Sequence, residues 1–474
     1  MHNVISMAPI QFNPTTSATI CDDNNSVSYH AFNQLIRDYH EALLDVPCSE
    51  VFVLSITQSI HCLALMLACF GLKKTAVLRA STSEIPTQLK ECDQFELDAN
   101  QLLCRTQAQV VGQSSHMQGN TEQTCGDSQG MLGFLSSGSV GEPKVIFHQP
   151  DSLVANSQNA LNLLPLSLQD NVLIPVPISH MYGFGAAALS SLCAGASVCL
   201  TQGLNLLKWK QIEKTWQPSC VFFTSSLLDA VSAKLSDKHV LKLIVTAGDC
   251  VNTRYLNAWV NKTQFWLNLY GSTEMGVIGI ASLINQGLLN SDAEQAYFTP
   301  CPGVDVASVN EQLEVHQMHA FVGYLNSNAS IAMSPAHPQF FNVAEKPFKT
   351  GDLGKLASDG RFSVHGRADF SVNREGRLLA FAQLEIELKK QALNLDVFVQ
   401  ELALVCGPQD SKGKTLIACC EGVTESQFSA LKQAWRSHLP AYAVPSQIKL
   451  VDPLPRLANG KLNRRKLEEV ISHV

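Results

Sequence analysis

Five short segments of the chain gather residue types that act on phosphates, hydroxyls and carboxylates. The first is Ser136-Ser137-Gly138-Ser139-Val140-Gly141-Glu142-Pro143-Lys144. Its small residues let the backbone approach an anion with amides pointing inward. Its serines add donors, and Lys144 adds a charge. No Gly-Lys-Ser/Thr follows, so this is not a P-loop, yet it can cradle phosphates. The second is Pro177-Ile178-Ser179-His180-Met181-Tyr182-Gly183, which ends an apolar run and opens a helical one. His180 then stands at the carboxyl edge of a sheet, a usual place for ligands. The third, Leu267-Asn268-Leu269-Tyr270-Gly271-Ser272-Thr273-Glu274, is a buried strand running into a polar turn. Tyr270 offers a stacking face, Thr273 a hydroxyl and Glu274 a carboxylate. That set suits a nucleotide and its magnesium ion, which takes hard oxygen ligands. The fourth is Phe348-Lys349-Thr350-Gly351-Asp352-Leu353, followed by Gly366-Arg367-Ala368-Asp369. Asp352 can accept from the two hydroxyls of a ribose, and the planar guanidinium of Arg367 suits phosphate. The fifth is Asn459-Gly460-Lys461, an ammonium carried on a turn. Taken singly, each segment also fits a solvated turn or a solvated charge.

The elements that must position these residues alternate. Apolar spacing predicts a helix over 28–46, a strand over Val51–Ile56, a helix over Ser59–Phe70 and a strand over Thr75–Arg79. This βαβ opening points to a layered α/β architecture. Residues 104–130, rich in Gln, Ser, Gly and Thr, read as a surface loop. Strands follow at Met131–Leu135, Asn171–Val176, Ser197–Leu200, Cys220–Phe223, Leu241–Thr246 and Phe265–Leu269. Helices are expected at Leu153–Leu164 and Ser226–Leu235. The last hundred residues have a separate α+β character. They read as a strand pair over Val364–Val372, a helix over Ala382–Gln391, two strands and an amphipathic helix over Thr424–His438.

Composition bounds the function. With 34 basic and 41 acidic residues in 474, the net charge of −7 excludes a charge-driven nucleic-acid binder. The 15 cysteines show no C-x-x-C spacing, which argues against a zinc knuckle or a redox dithiol. The start, Met1-His2-Asn3-Val4-Ile5-Ser6, shows no basic region ahead of a long apolar run. Free thiols and a cytoplasmic location are therefore expected. The stretch Tyr182–Leu200 is nearly uncharged but rich in Gly and Ser, so it reads as a buried helix and strand and not as a membrane span.

In this order, the five segments resemble the acyl-adenylate-forming enzymes. These include the AMP-forming acyl- and aryl-CoA synthetases, the adenylation domains of peptide synthetases and the luciferases. The resemblance runs from about residue 28 to residue 468 and is closest at Asn268–Glu274, at Thr350–Leu353 and at Gly460-Lys461. It implies a large α/β N-terminal domain, residues 1–368, and a small mobile α+β domain, 369–474, hinged at Asp369. It implies that Ser136 to Lys144, including Gly138 and Gly141, hold the β- and γ-phosphates of ATP. His180 would lie beside the carboxylate pocket, and Gly248-Asp249 along the adenine. Tyr270 and Gly271 would face the adenine with Asn268 near it, Thr273 would contact the α-phosphate, and Glu274 would hold Mg²⁺. Asp352 would take the ribose hydroxyls and Arg367 the ribose or phosphate. Lys461 would bridge the attacking carboxylate and the α-phosphate.

The chain departs from the family pattern at Val140, where Thr is usual, at Val145, where Gly is usual, and around Asn373–Leu378, where the arginine comes one position early at Arg377. The expected activity is ligation of a fatty or aryl carboxylic acid to a thiol, either CoA or the phosphopantetheine of an acyl carrier protein. A non-catalytic nucleotide-binding homologue and an amino-acid-adenylating enzyme remain the alternatives, in a monomer or homodimer. Glu213 is the one acid between Trp209 and Val221, where an amino acid's ammonium would need a partner, which disfavours that last substrate class. Lys461 supplies charge where charge develops, so Lys461→Ala is expected to spare ATP binding in equilibrium dialysis. It should lower pyrophosphate exchange by roughly 10²–10³-fold.

Overall fold

The computed structural model describes residues 12, 17–46, 51–90, 92–106, 130–136, 143–224, 227–228, 231, 240–247, 259–284, 296–325, 339–340, 347–374, 377–395, 397–410, 413–456 and 462–472. The chain separates into two compact units. One comprises Met1–Gly138, Glu142–Asp305 and His316–Pro347, the other Ser139–Gly141, Val306–Val315 and Phe348–Val474.

The first unit is built on two sheets. In one, Thr19–Cys21, Ser197–Leu200, Asn171–Ile174, Cys220–Phe223, Leu241–Ala247 and Thr263–Ser272 lie side by side and parallel. Gly276–Ser282 then turns back antiparallel on Thr263–Ser272. Parallel strands are covered on both faces, so they read as unbroken apolar runs; Cys220, Val221, Phe222 and Phe223 are all buried. In the second sheet Asp93–Leu97, Val51–Ile56, Thr75–Ala80 and Leu132–Leu135 run parallel, and Val145–His148 pairs antiparallel with Leu132–Leu135. Serine caps open the flanking helices: Ser28 Oγ accepts from Ala31 N at the start of Tyr29–Asp45, and Ser59 Oγ from Cys62 N at the start of Ile60–Ala68.

These elements follow the sequence reading with a few corrections. Cys104–Thr106, expected in a loop, belongs to a strand, Leu103–Thr106, paired with Asp93–Leu97. The rest of that expected loop up to residue 129 lies outside the described residues, as does most of the helix expected over Ser226–Leu235. Tyr182–Leu200 resolves into a wide π-type helix, Tyr182–Leu189, a short α-helical end and the strand Ser197–Leu200. It is apolar because core surrounds it: the Phe184 ring lies 6.2 Å from that of Phe70 and 5.8 Å from that of Phe134. Among the described residues no helix is long and apolar enough to cross a membrane.

In the second unit, Phe348–Leu356 pairs antiparallel with Phe362–Arg367. Val364–Val372 is not a strand pair: a 3₁₀ turn, Ala368–Phe370, separates Phe362–Arg367 from Ser371–Arg374, which pairs instead with Arg377–Ala380. Glu401–Asp410 and Gly413–Glu421 pair antiparallel, and Gln447–Leu450 adds to Gly413–Glu421 in parallel. Alternate residues of these strands feed two cores. Leu402, Leu404, Leu416, Ala418 and Cys420 pack with Phe381, Leu388, Leu431 and Trp435 from the helices Phe381–Leu393 and Phe428–His438. Ala403, Val405, Ile417 and Cys419 pack with Leu454 and Leu467 on the opposite face.

A bidentate ion pair ties the last helix to this unit. Arg464 Nη1 and Nη2 each donate to the Glu385 carboxylate at 2.7 Å, and Leu404 N donates to Glu385 Oε1 at 2.6 Å. Both side chains are largely buried. Removing one partner leaves the other as an uncompensated buried charge. Glu385→Ala should therefore cost about 3–5 kcal/mol in urea unfolding, and the paired replacement Glu385→Leu with Arg464→Met should recover most of it.

Candidate active site

The turn that carries Thr273 and Glu274 joins Thr263–Ser272 to Gly276–Ser282 and is fixed by buried side chains from elsewhere in the first unit. Ser272 Oγ accepts from Met275 N at 3.0 Å. Asn156, on the helix Pro150–Leu161, accepts from Val277 N at 2.9 Å and donates to the carbonyls of Met275 and Val277 at 3.2 and 3.3 Å. Gln317 also donates to the Met275 carbonyl. Gly276 has φ +63°, and a Cβ there would lie 2.3 Å from Asn156 Oδ1, so only glycine fits. His148 closes the other side: its Nε2 lies 2.8 Å from the Thr273 carbonyl. A carbonyl can only accept, so Nε2 carries the proton. Burial brings the His148 pKa down to about 4, which keeps the ring neutral.

Glu274 stands half-buried on this turn. Its carbonyl accepts from Phe321 N at 2.8 Å and its Oε1 accepts the Tyr324 hydroxyl at 3.2 Å. Burial, with the Glu274 charge adding to it, holds the Tyr324 phenol well above its ordinary value. The ammonium of Lys144 lies over the Tyr324 ring, 5.3 Å from its centre. The expected phosphate loop is a hairpin loop: Leu135 pairs with Val145, and its neck is closed by Ser136 N to Lys144 O at 2.9 Å and Lys144 N to Ser136 Oγ at 3.0 Å. The Ser136 hydroxyl thus serves as the latch of the loop. Ser137, Gly138, Ser139 and Gly141 lie outside the described residues. Val145 is buried in the sheet core, where Gly133 on the neighbouring strand makes room: a Cβ on Gly133 would sit 3.0 Å from Val145 Cγ1.

Asn268 is buried within the sheet, and its Oδ1 accepts the Thr246 hydroxyl at 3.3 Å. Tyr270 is half-buried, its ring 5.8 Å from that of Phe298, and the ladder shifts register between Tyr270 and Gly271. Gly248 and Asp249 lie outside the described residues. His180 is half-buried just ahead of the π-type helix, its carbonyl accepting from Phe184 N at 2.9 Å. The Tyr182 hydroxyl donates to the carbonyls of Phe223 and Val245 at 3.0 and 3.1 Å. The helix behind His180 is buried along Phe184 and Ala186–Ala188.

In the second unit, strand register sets Asp352 directly opposite Arg367. Their side chains lie 3.4 Å apart, while Arg367 also donates to the Thr350 carbonyl at 2.9 Å and to Asp369 at 3.1 Å. Asp352 N donates to Thr350 Oγ1 at 3.0 Å, which bends the strand at Gly351, φ +76°. A Cβ on Gly351 would sit 2.8 Å from Arg367 Nη2. Arg374 is buried and donates to the carbonyls of Tyr442 and Lys414, while Arg377 lies 4.4 Å over the Tyr442 ring. Lys461 lies outside the described residues.

Thr273, Glu274 and Lys144 are thus brought into one neighbourhood through Tyr324 and His148, and Asp352 is brought to Arg367. Asn156, Gln317, His148 and Tyr324 escaped the sequence reading. His148, a polar residue ending the apolar run Val145-Ile146-Phe147, was the available signal. Among the described residues no cluster of three or more His, Cys, Asp or Glu could hold a metal. A single carboxylate still fits magnesium, which keeps its waters and takes its other oxygens from substrate phosphates. Tyr324 occupies only Oε1 of Glu274, and among the described residues Oε2 takes no hydrogen bond.

Residues 73–325 match the family model for AMP-binding enzymes. A D-alanine--D-alanyl carrier protein ligase of Staphylococcus aureus (strain Newman) is 25% identical over 366 residues, covering 73% of this chain and 72% of that protein. ATP-bound MatB from Rhodopseudomonas palustris superposes with a TM-score of 0.75 at 16% identity, over 97% of this chain and 96% of that one. The o-succinylbenzoate CoA synthetase of Bacillus subtilis, in complex with its acyl-adenylate intermediate, does so with 0.74 at 17% identity, over 97% and 99%. At these identities the structural matches establish the shared fold: a large N-terminal α/β part with mixed sheets and a smaller C-terminal α+β part.

The neutral state of His148 has a pH signature. Its folded pKa, about 4, lies below the unfolded value near 6.5. The unfolded chain therefore binds the extra proton first, so this contribution is complete above about pH 6.5 and is lost as pH falls toward 4. The loss should reach roughly 3 kcal/mol by pH 4. Urea unfolding compared at pH 7 and pH 4.5 should show it, and His148→Gln, whose amide can donate to the Thr273 carbonyl without titrating, should blunt it.

Proposed function

The chain belongs to the AMP-binding enzyme family, the acyl-adenylate-forming enzymes, and on that premise we propose that it activates a fatty or aryl carboxylic acid and passes the acyl group to a carrier-protein thiol. The observation that carries the reading is the Thr273–Glu274 turn, held from below by His148 and Asn156 and linked to Lys144 through Tyr324. It offers a hydroxyl, a carboxylate and an ammonium in one neighbourhood, which is what a triphosphate and its metal ion require.

A carboxylate acylates poorly because its oxygen is a bad leaving group. In the proposed reaction the carboxylate, oriented beside His180, attacks the α-phosphorus of ATP. Lys461 and Thr273 offset the charge that builds on the α-phosphoryl oxygens. Lys144 and the amides of the 136–144 loop keep the β- and γ-phosphates, and pyrophosphate departs from them. Tyr270 stacks on the adenine, and Asp352 and Arg367 take the ribose and its phosphate. Glu274 would hold Mg²⁺, which when bound supplies Lewis-acid charge to the phosphoryl oxygens. Rotation about Asp369 then withdraws Lys461. The incoming thiol, on losing its proton, attacks the mixed anhydride, and AMP leaves.

Two observations favour a carrier over CoA. The relative matched over three-quarters of the chain is named as a carrier protein ligase. Arg374, a basic group near the hinge that could meet the 3′-phosphate of CoA, is buried and committed to two carbonyls. That same relative acts on D-alanine by name, which keeps an amino acid substrate as a second reading. The deciding measurement is pyrophosphate exchange with octanoate, 4-hydroxybenzoate, a coumarate and D-alanine. Thioester mass is then followed with CoA or holo-carrier protein as acceptor. Exchange with one of the first three acids and thioester on the carrier is the expected result. Exchange with D-alanine alone would replace the acid, thioester on CoA alone would replace the acceptor, and no exchange with any acid would sink the reading.

A further inference from the structure

We propose that Tyr324 is a positioning residue that holds Glu274 in its metal-binding orientation while keeping it apart from Lys144; the proposal rests on the function given above. Its backbone is locked into the first unit. Gly323–Tyr324 pairs antiparallel with Val145–His148, with Tyr324 opposite Ile146. Val322 N donates to the Phe147 carbonyl at 2.7 Å and Leu325 N to the Val145 carbonyl at 3.0 Å. Phe321 N binds the carbonyl of Glu274 itself, and the Phe321 ring lies 4.9 Å from the Tyr324 ring. The same short segment thereby grips the hairpin that ends at Lys144 and the turn that bears Glu274.

The side chain completes the link. The hydroxyl donates to Glu274 Oε1 at 3.2 Å, since a carboxylate can only accept. The ring face lies under the Lys144 ammonium at 5.3 Å, within reach of a cation–π attraction. Among the described residues no direct ion pair joins Lys144 to Glu274. Such a pair would cancel the two charges that a magnesium nucleotide needs separately. Tyr324 fixes one carboxylate oxygen with a neutral donor, leaves Oε2 open for a cation, and offers the ammonium a resting surface that carries no charge. The assignment predicts that losing the hydroxyl weakens the metal, and that losing the ring as well weakens the nucleotide.

The test is Tyr324→Phe and Tyr324→Leu against wild type. Mg²⁺ is titrated calorimetrically into enzyme saturated with a non-hydrolysable ATP analogue, and the Mg²⁺ midpoint of pyrophosphate exchange is measured in parallel. Tyr324→Phe should raise both Mg²⁺ constants roughly 10- to 100-fold, the range of a hydrogen bond to a charged group. Tyr324→Leu should in addition raise the KM for ATP by roughly 2- to 5-fold, the range of an exposed cation–π contact. In a Glu274→Gln background, Tyr324→Phe should change the Mg²⁺ constant no further. Wild-type enzyme that binds Mg²⁺ with the nucleotide, beside a Tyr324→Phe variant with the same Mg²⁺ constant, overturns the assignment and leaves the function standing. So does a variant that loses turnover with its Mg²⁺ constant unmoved. A wild-type chain with no Mg²⁺-dependent nucleotide binding and no exchange overturns both.

Discussion

The working end of the first unit depends on a few buried hydrogen bonds that close the turn from Thr273 to Val277. A turn between two buried strands breaks the ladder and leaves backbone donors and acceptors facing protein instead of water. Each one left unpaired would cost about 1–3 kcal/mol. Asn156 answers with both an acceptor and donors, Gln317 shares the Met275 carbonyl, and His148 takes the carbonyl of Thr273. These partners come from a helix and two strands remote in sequence, so the turn can hold its shape only if both sheets of the unit have formed and packed. The rigidity of the Thr273–Glu274 turn is therefore borrowed from the rest of the unit, and among the described residues Glu274 Oε2 takes no hydrogen bond.

Charge imposes a second constraint. The family's chemistry gathers anions, a triphosphate and a carboxylate, on a chain whose net charge is −7. A general positive field is not on offer, so attraction has to be local, through single ammonium or guanidinium groups and backbone amides. The structure also withdraws several basic groups from that pool. Arg464 is spent on Glu385, and Arg374 on two carbonyls. Arg367 is held by Thr350, Asp352 and Asp369, which aims its guanidinium more than it frees it. Among the described residues, Lys144, exposed at the loop neck and resting on an aromatic ring, is a basic group that stays loosely held.

What was legible in the chain follows the range of the interactions. The parallel strands could be read because a strand covered on both faces is an apolar run, as at Cys220–Phe223. Asp352 and Arg367 were singled out by residue type alone; that neighbouring antiparallel strands set them opposite each other is visible only in the fold. The partners of Thr273 and Glu274 could not. Asn156 looks like any helical asparagine until Met275 and Val277 arrive, and Tyr324 like any strand-end tyrosine until Glu274 arrives. Ser136 shows the same limit: its hydroxyl accepts from Lys144 N across the loop neck, a contact its sequence position does not announce, and its own O–H stays free to donate. The family departure at Val145 is likewise explained by a partner, Gly133, whose missing side chain makes room for it within the sheet core.

The packing of the C-terminal region bears on the motion that the reaction needs. One of its cores is built from Val372 to Ala443 and the other from Ala403 to Leu467, so the buried residues of both lie beyond Asp369. Helices cover one face of the Glu401–Asp410 and Gly413–Glu421 pair, and the helix Arg464–Ser472 contributes Leu467 to the other, with Arg464 bound to Glu385. Were this region to turn, a few backbone dihedrals would absorb the rotation, and the close approach of Gly366 to Ala380 and Ala382 would have to open. The 3₁₀ turn Ala368–Phe370 is where those dihedrals would be found, since the strands before and after it belong to different pairings. The proposed hinge at Asp369 thus sits between two strand pairings, where rotation would spare both ladders but would have to release the Arg367–Asp369 pair.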